Sequence, residues 1–438
     1  MHIQQVQIKN FRCFEDLTVN LNPDVNIFVG NNGSGKSAVL DAIAAAMYPY
    51  IKVSQDIGNT TNKDVSPVIQ LDLLVKKDNN AIRDLARFIV KITDFPDWEV
   101  VYQKALSNED SARLNIDDNE ARSGMIYNKI SENLNILNND LLPQISIIIY
   151  YKVNRNLTNS FYLANVISAD FNRFDSLKNA FDAMGDFTDL VRWFFIREFQ
   201  ELREGKSKKD INFEFPDLKQ IRKAISTIIA PNARVYFSQV DSAKLMVEWE
   251  TETGEKIELS LNQLSSGYRN MLALVMDFAR RLAQANPQMA NPLEAEAVLM
   301  IDELDLHLHP TWQQKIIPDL RKVFPNTQII ATTHSPEIVT TVERHQVKIL
   351  ENYQIKECDT PTRGMKSSDV VSSVLGLKNL RPDTEESRTL TALFEAIDNG
   401  NLEAAKLFRE KLRDWKSFDP DITRADMQIR RLEREMTA

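Results

Sequence analysis

The chain has 438 residues, enough for two or three domains or for one large domain carrying insertions. With 43% hydrophobic and 26% charged residues it has the composition of a folded globular protein, which excludes a wholly disordered chain. A net charge of -9 excludes a protein that coats nucleic acid non-specifically and leaves room only for a local basic groove, while two cysteines, Cys13 and Cys358, exclude a disulfide framework or a thiolate zinc cluster.

Taken from the N-terminus, Met1 to Asp16 carries no secretory signal pattern. The first strong element is Val25 to Val29, short and apolar, which runs into Gly30-Asn31-Asn32-Gly33-Ser34-Gly35-Lys36-Ser37 and then a helix-forming run, Ala38 to Met47. Strand, glycine loop and helix in that order predict a phosphate-binding loop. Its glycines let backbone N–H groups turn inward around a β-phosphate, Lys36 bridges β- and γ-phosphates, and Ser37 offers its hydroxyl to Mg²⁺. Gly30 through Ala38 are therefore the candidate ATP-binding residues, with Lys36 also catalytic and Ser37 also a metal ligand.

Ile126, Ile130, Leu134, Leu137 and Leu141 recur at spacings of three and four until Pro143, which predicts a short helical arm and not a long coiled coil. The longest strongly apolar stretch, Ile145 to Tyr151, is too short to span a bilayer, so no membrane contact and a cytoplasmic location are expected. A helical stretch follows from about Phe171 to Gly205. Its basic run, Arg192, Arg197, Arg203, Lys206, Lys208 and Lys209 with Trp193 among them, is either a solvated face or a contact to DNA phosphates. After Pro216, the segments Arg234 to Phe237, Lys244 to Glu250 and Lys256 to Leu261 alternate in polarity and are expected as antiparallel additions to the main sheet.

Leu264-Ser265-Ser266-Gly267-Tyr268-Arg269 opens a helix with small residues, so that its N–H groups and dipole are available to a γ-phosphate; the same pattern also suits an ordinary helix cap. Ala297 to Ile301 is a buried-strand candidate that ends in Asp302 and Glu303. Asp302 is placed to contact Mg²⁺ and Glu303 to polarise an attacking water. A third such strand, Gln328 to Ala331, leads to Thr332-Thr333-His334-Ser335-Pro336. His307 and His309 alternate, but no third ligand stands at a helpful spacing, so packing or hydrogen bonding is expected of them and zinc is not.

Beyond the strand-like Val347 to Leu350, Asp383 and Glu386 form an expected helix-start box. Leu390, Leu393, Phe394 and Ile397 line one face until Asn399 and Gly400. A helix from Leu402 to Trp415 is expected next. The last helix carries Ala425, Ile429, Leu432 and Met436 on a narrow stripe, suited to docking on the chain's own body or to a partner helix.

These ordered motifs resemble the ABC-type ATPases. The resemblance implies an α/β ABC-ATPase P-loop fold with a mixed sheet, a helical insertion and a C-terminal helical region. The expected divisions are 1–153 for an N-terminal lobe bearing the arm at about 105–142, 154–216 for the helical insertion, 217–350 for a C-terminal lobe, and 351–438 for a helical partner or oligomerisation region. In that family Ser265, Ser266 and Gly267 cover the γ-phosphate held by the opposite protomer of a homodimer or higher oligomer. Asp305, in Leu304-Asp305-Leu306-His307-Leu308-His309-Pro310, resembles the loop that couples two ATP sites, and His334 the switch histidine at the γ-phosphate and catalytic water. Glu303, His334 and Lys36 are thus the candidate catalytic residues, with Asp302 and Ser37 for the metal.

Ile8 to Phe14 is similar to the opening strand and turn of the Rad50, RecF and SMC-like heads, which implies Arg12 near the nucleotide. Tyr150 to Arg155, Leu264 to Arg269, Asp302 to Trp312 and Phe324 to Pro336 more narrowly resemble the PtuA ATPases of Septu and related retron systems in anti-phage defence. That resemblance implies a separate HNH nuclease of the PtuB type, restrained or released by nucleotide state. No nuclease site of the chain's own is expected. No clear glutamine loop can be placed, and Asn154 with Arg155 is its nearest substitute. The alternative function is a DNA-repair head that clamps DNA; a transporter motor is disfavoured by Tyr268 and Arg269.

Overall fold

The computed structural model describes residues 1–57, 85–93, 97–104, 112–114, 128, 144–153, 172–183, 188–230, 232–238, 244–251, 253–377 and 379–437. These residues form two compact units, Met1–Val370 and Val371–Ala438.

The nucleotide-loop motif lies in a six-stranded sheet of order β14-β13-β3-β12-β11-β7. Its strands are β3 (Val25–Gly30), β7 (Ile147–Tyr151), β11 (Ala297–Ile301), β12 (Thr327–Thr332), β13 (Val347–Glu351) and β14 (Gln354–Glu357). All neighbours run parallel except β14, which is antiparallel to β13. Every residue of β7, β11 and β12 is buried, as expected of parallel strands covered on both faces; β7 and β11 are correspondingly apolar, while β12 also buries Thr327, Gln328 and Thr332, with Gln328 bonded to the Ile3 backbone.

A second sheet, of order β2-β1-β4-β5-β6, is antiparallel and comprises β1 (Ile3–Phe11), β2 (Phe14–Asn20), β4 (Leu85–Ile92), β5 (Trp98–Lys104) and β6 (Ala112–Leu114). It is fixed to helix α1 (Lys36–Ile57) by Trp98 and Tyr102, which donate to the carbonyls of Ala46 and Ala45 at 2.9 Å each. Pro49 lies inside α1 and has no N–H, so the Ala45 carbonyl lacks its helical donor; the Tyr102 hydroxyl supplies one. The small side chains Ala44 to Ala46 let these rings reach the helix backbone. Ala112–Leu114 is thus a strand within the range expected for a helical arm, and the arm's heptad-like leucines and isoleucines lie outside the described residues.

The three alternating segments form a sheet of their own, β10-β9-β8, from β8 (Arg234–Phe237), β9 (Leu245–Glu250) and β10 (Lys256–Ser260). They do not extend the main sheet as expected. Their alternation itself marks a sheet with one solvated face, whereas the main-sheet strands are buried on both. Helix α2 (Thr188–Lys208) lays Phe194 and Phe195 against Phe237, and α3 (Pro216–Ile228) buries Leu218, Ile221 and Ile225. The stretch expected as one helix from about Phe171 is a 3-10 turn, Arg173–Leu177, followed separately by α2.

The remaining helices of the first unit are α4 (Ser266–Ala285), α5 (Pro310–Gln313), α6 (Ile316–Val323) and α7 (Pro336–Val339), followed by α8 (Ser367–Ser373) at the boundary. The second unit packs α9 (Glu385–Asp398), α10 (Leu402–Lys411) and α11 (Pro420–Thr437) around Leu390, Leu393, Ile397, Ala405, Ile422, Ala425 and Ile429. Ala425, Ile429 and Leu432 of the last helix's stripe therefore pack within their own unit. Thr384, not Asp383, caps α9, its hydroxyl accepting from the Ser387 N–H; Asp383 pairs with Arg388 instead. α10 ends at Lys411, and Trp415 falls in a 3-10 segment, Arg413–Phe418. Among the described residues no helix is long and apolar enough to cross a membrane.

Candidate active site

The strand order places β12 between β3 and β11, with Thr332 opposite Phe28 and Ala331 opposite Ile301. The glycine loop after β3, the acidic pair after β11 and the threonine-histidine segment after β12 therefore emerge at one sheet edge, where parallel sheets collect their functional groups.

The loop is walled closely. A methyl group on Gly30 would lie 2.4 Å from the Leu350 carbonyl oxygen at the end of β13, and one on Gly35 would lie 2.7 Å from the Phe14 ring and 2.9 Å from Cys13 Sγ. Both glycines also have positive φ, 151° and 101°. Asn31, Asn32 and Gly33 are exposed, Ala38 is buried, and Ser37 is exposed on the first turn of α1. Ser34 Oγ is buried without a hydrogen-bond partner among the described residues, a polar atom left over in a loop built for a polar guest. Lys36 Nζ donates to the carbonyls of Gly30 at 2.9 Å and Asn31 at 3.0 Å. Burial draws the Lys36 ammonium below its usual value, and the charges of Asp302, Glu303 and Asp305 oppose that fall. Four of the predicted residues thus sense one another electrostatically.

Asp302 is buried, and its Oδ1 accepts from the Thr332 hydroxyl at 2.6 Å. The same Thr332 oxygen accepts from the Glu303 N–H at 2.7 Å, and the Leu304 N–H donates to the Thr332 carbonyl at 2.9 Å. Glu303 adopts φ 50°, a left-handed turn directly after the strand. Asp305 Oδ1 accepts from the Thr333 hydroxyl at 2.6 Å and from the His334 N–H at 3.2 Å. The His334 ring is exposed at this edge. Thr332 and Thr333 are the residues that sequence reasoning passed over. The signal available was a hydroxyl on the last residue of a strand neighbouring a buried aspartate.

Arg12 Nη1 meets Asp41 Oδ2 of α1, the helix that follows the loop, at 2.6 Å. Nearby, burial together with Asp41 and Asp302 pushes the Tyr150 hydroxyl well above its usual value, so it stays protonated and able to donate.

Ser265 caps α4, with Ser266 and Gly267 in the first turn. Gly267 presses on the loop of Asp305, since a methyl group there would fall 2.3 Å from the His307 carbonyl oxygen. His307 has φ 63°. Next to it, Tyr268 stacks with Trp249 at 6.1 Å and meets Trp312 of α5 edge-on at 4.5 Å. Farther along α4, buried Asp277 accepts from Arg280, from Arg281 and from the Tyr151 hydroxyl of β7, at 2.7, 2.7 and 2.9 Å. Arg281 also donates to the Ser176 and Lys178 carbonyls. Through these bonds α4 is bolted to the edge strand of the main sheet.

The His309 ring nitrogen bonds Thr311 and caps α5. Asn154 and Arg155 lie outside the described residues. In the basic run, Trp193 is buried, Arg197 pairs with Asp217 and covers Phe215, and Lys208 pairs with Glu204. Arg197 and Lys208 are thus satisfied within the chain, whereas Lys206 and Lys209 of the same run are exposed.

The family described as AAA ATPase domain matches residues 1–339. A retron Vc95 probable ATPase of Vibrio cholerae serotype O1 biovar El Tor is 26% identical over 91% of this chain and 83% of its own length. A retron Ec83 probable ATPase of Escherichia coli is 26% identical over 89% and 79%. A Septu protein PtuA of Bacillus mycoides (strain KBAB4) is 23% identical over 88% of this chain and 46% of its own length.

Proposed function

Because the chain belongs to the AAA ATPase domain family, we propose that it binds ATP with Mg²⁺ at the loop Gly30–Ser37 and hydrolyses it, as the ATPase subunit of an anti-phage defence complex. The observation that carries this reading is the convergence of Lys36 with Asp302, Glu303 and Asp305 at one sheet edge.

In this reading the loop N–H groups cradle the β-phosphate, and Lys36 exchanges the Gly30 and Asn31 carbonyls for phosphate oxygens. The Ser37 hydroxyl and the Asp302 carboxylate are hard oxygen donors that suit Mg²⁺, and Thr332 fixes the orientation of Asp302. Bound Mg²⁺ would neutralise charge developing on the phosphates. Glu303 accepts a proton from water as its oxygen attacks the γ-phosphorus and the bond to the β-phosphate oxygen breaks, releasing ADP and phosphate. His334 faces the γ-phosphate and that water. Arg12, held by Asp41 of α1, lies near the nucleotide in this reading.

Ser265, Ser266 and Gly267 of a second copy complete the pocket, so closure of a homodimer, or of a higher oligomer built from it, is linked to ATP. The likeness to retron ATPases and to a Septu PtuA protein supports the defence role, and in this reading the partner is a separate HNH nuclease of the PtuB type, controlled through that closure. Purification from the native operon tests it: a nuclease should co-purify, and Lys36→Ala should abolish both turnover and phage resistance. Recovery of no nuclease together with unchanged resistance in that variant would refute the reading.

A further inference from the structure

A cleft of about 1360 Å³ lies between α2, α3 and the β8–β9–β10 sheet, away from the nucleotide loop. Of the six acids that line it, Glu250 is exposed without an ion-pair partner among the described residues and the other five are engaged, Asp210 by the Asn212 N–H and Glu248 by Lys256. Glu201 and Glu214 both hold Arg222, Glu201 also accepts from the Phe215 N–H, and Glu198 accepts from the Phe237 N–H. Of the seven cations that line it, Arg222 and Lys256 are paired and the other five are not. Lys206, Lys209, Lys219, Lys223 and Arg234 line it, are exposed, and have no ion-pair partner among the described residues. The unpaired cations of the cleft therefore outnumber its unpaired acids, a local positive bias on a chain of net charge -9.

Two aliphatic side chains line the same cleft in the open, Leu202 at 68% and Ile211 at 101% relative exposure. Exposed aliphatics of this size beside unpaired lysines fit a protein segment better than a nucleic acid. Bases would need free aromatic faces, whereas here Lys208 covers Phe213 and Trp249 is stacked on Tyr268. Trp249 also lines the cleft, so its wall adjoins the start of α4.

We propose that this cleft docks an acidic segment of a partner protein, with carboxylates on the lysine cluster and aliphatic side chains on Leu202 and Ile211. It rests on the reading above only in taking the partner to be a separate protein.

Fluorescence anisotropy of a labelled peptide of repeated Glu-Leu-Glu-Ile units, titrated with the full chain, tests it. Saturable binding is expected, weakening with added salt. Lys206→Glu/Lys209→Glu/Lys223→Glu should weaken it by roughly tenfold or more, and Ile211→Ser by several-fold. All four side chains are exposed, so folding should survive, as circular dichroism will verify. Lys36→Ala should bind the peptide as the parent does, which separates this proposal from the ATPase reading. Absence of peptide binding, equal binding by the charge-reversed variant, or tighter capture of an oligothymidylate than of the peptide would overturn it.

Discussion

The Thr332 hydroxyl donates to the Asp302 carboxylate at 2.6 Å while its oxygen accepts from the Glu303 N–H at 2.7 Å, so one side chain on β12 sets both acidic residues at the end of β11. Thr332→Val keeps the shape and removes both bonds. With Asp302 buried, the loss of one donor is expected to cost about 1–3 kcal/mol of stability, read from the urea midpoint. ATP turnover should fall by roughly tenfold or more, because Glu303 loses its fixed orientation. An unchanged turnover would remove Thr332 from the site.

Gly267 and the His307 carbonyl pose a choice between two effects. Alanine is favoured over glycine inside a helix by about 1 kcal/mol. A methyl group 2.3 Å from a backbone oxygen cannot be accommodated without moving the Asp305 loop. We expect the clash to win: Gly267→Ala should lower both the melting temperature and ATP turnover. A melting temperature raised by the substitution would mean that the loop yields freely.

Asp277 gives a pH-dependent prediction. Burial alone would raise its carboxyl, but the charges and hydrogen bonds of Arg281 and Arg280 more than reverse this, leaving it below the usual value. A carboxylate lowered on folding contributes stability that is present above its unfolded value, roughly 4, and is lost as pH falls through the folded value. The urea midpoint should therefore drop on acidification through that range. Asp277→Asn, which strands two buried guanidinium groups, should be less stable by about 3–5 kcal/mol near neutrality and flatter in its acid dependence.

Much of the site could be read from residues alone because its chemistry is local: glycine spacing, a lysine and serine after it, and an acidic pair after an apolar strand need no tertiary information. The parallel main sheet was legible for the same reason, since its strands buried on both faces are mostly apolar, with Asn26, Gln328 and Thr332 as buried exceptions. Thr332 was not, because its role depends on which strand lies beside β11. Nor were the Gly267 contact with His307, the bracket of Trp249 and Trp312 around Tyr268, or the Asp277 cluster, each joining residues far apart in sequence. The alternation in β8 to β10 revealed strands but could not say which sheet they join. At α9 the expected cap fell one residue early because Asp383 and Thr384 are both good capping residues and only the backbone chooses between them.

Gly267 packs tightly on the Asp305 loop within one subunit, so the segment proposed to cover a second copy's phosphate should move with the first copy's own acidic residues. Trp312 meets Tyr268 at 4.5 Å across that junction, and ATP should change tryptophan fluorescence in the parent chain. Tyr268→Ala should abolish the change while leaving ATP binding at the loop. Persistence of the full signal would place its source elsewhere.

The central claim is that two copies share each triphosphate pocket, and the mass of Glu303→Gln in solution, by light scattering with and without ATP and Mg²⁺, tests it most directly. The account predicts an ATP-dependent association in Glu303→Gln that is absent in Lys36→Ala. The same mass for both variants, with nucleotide and without, would contradict it.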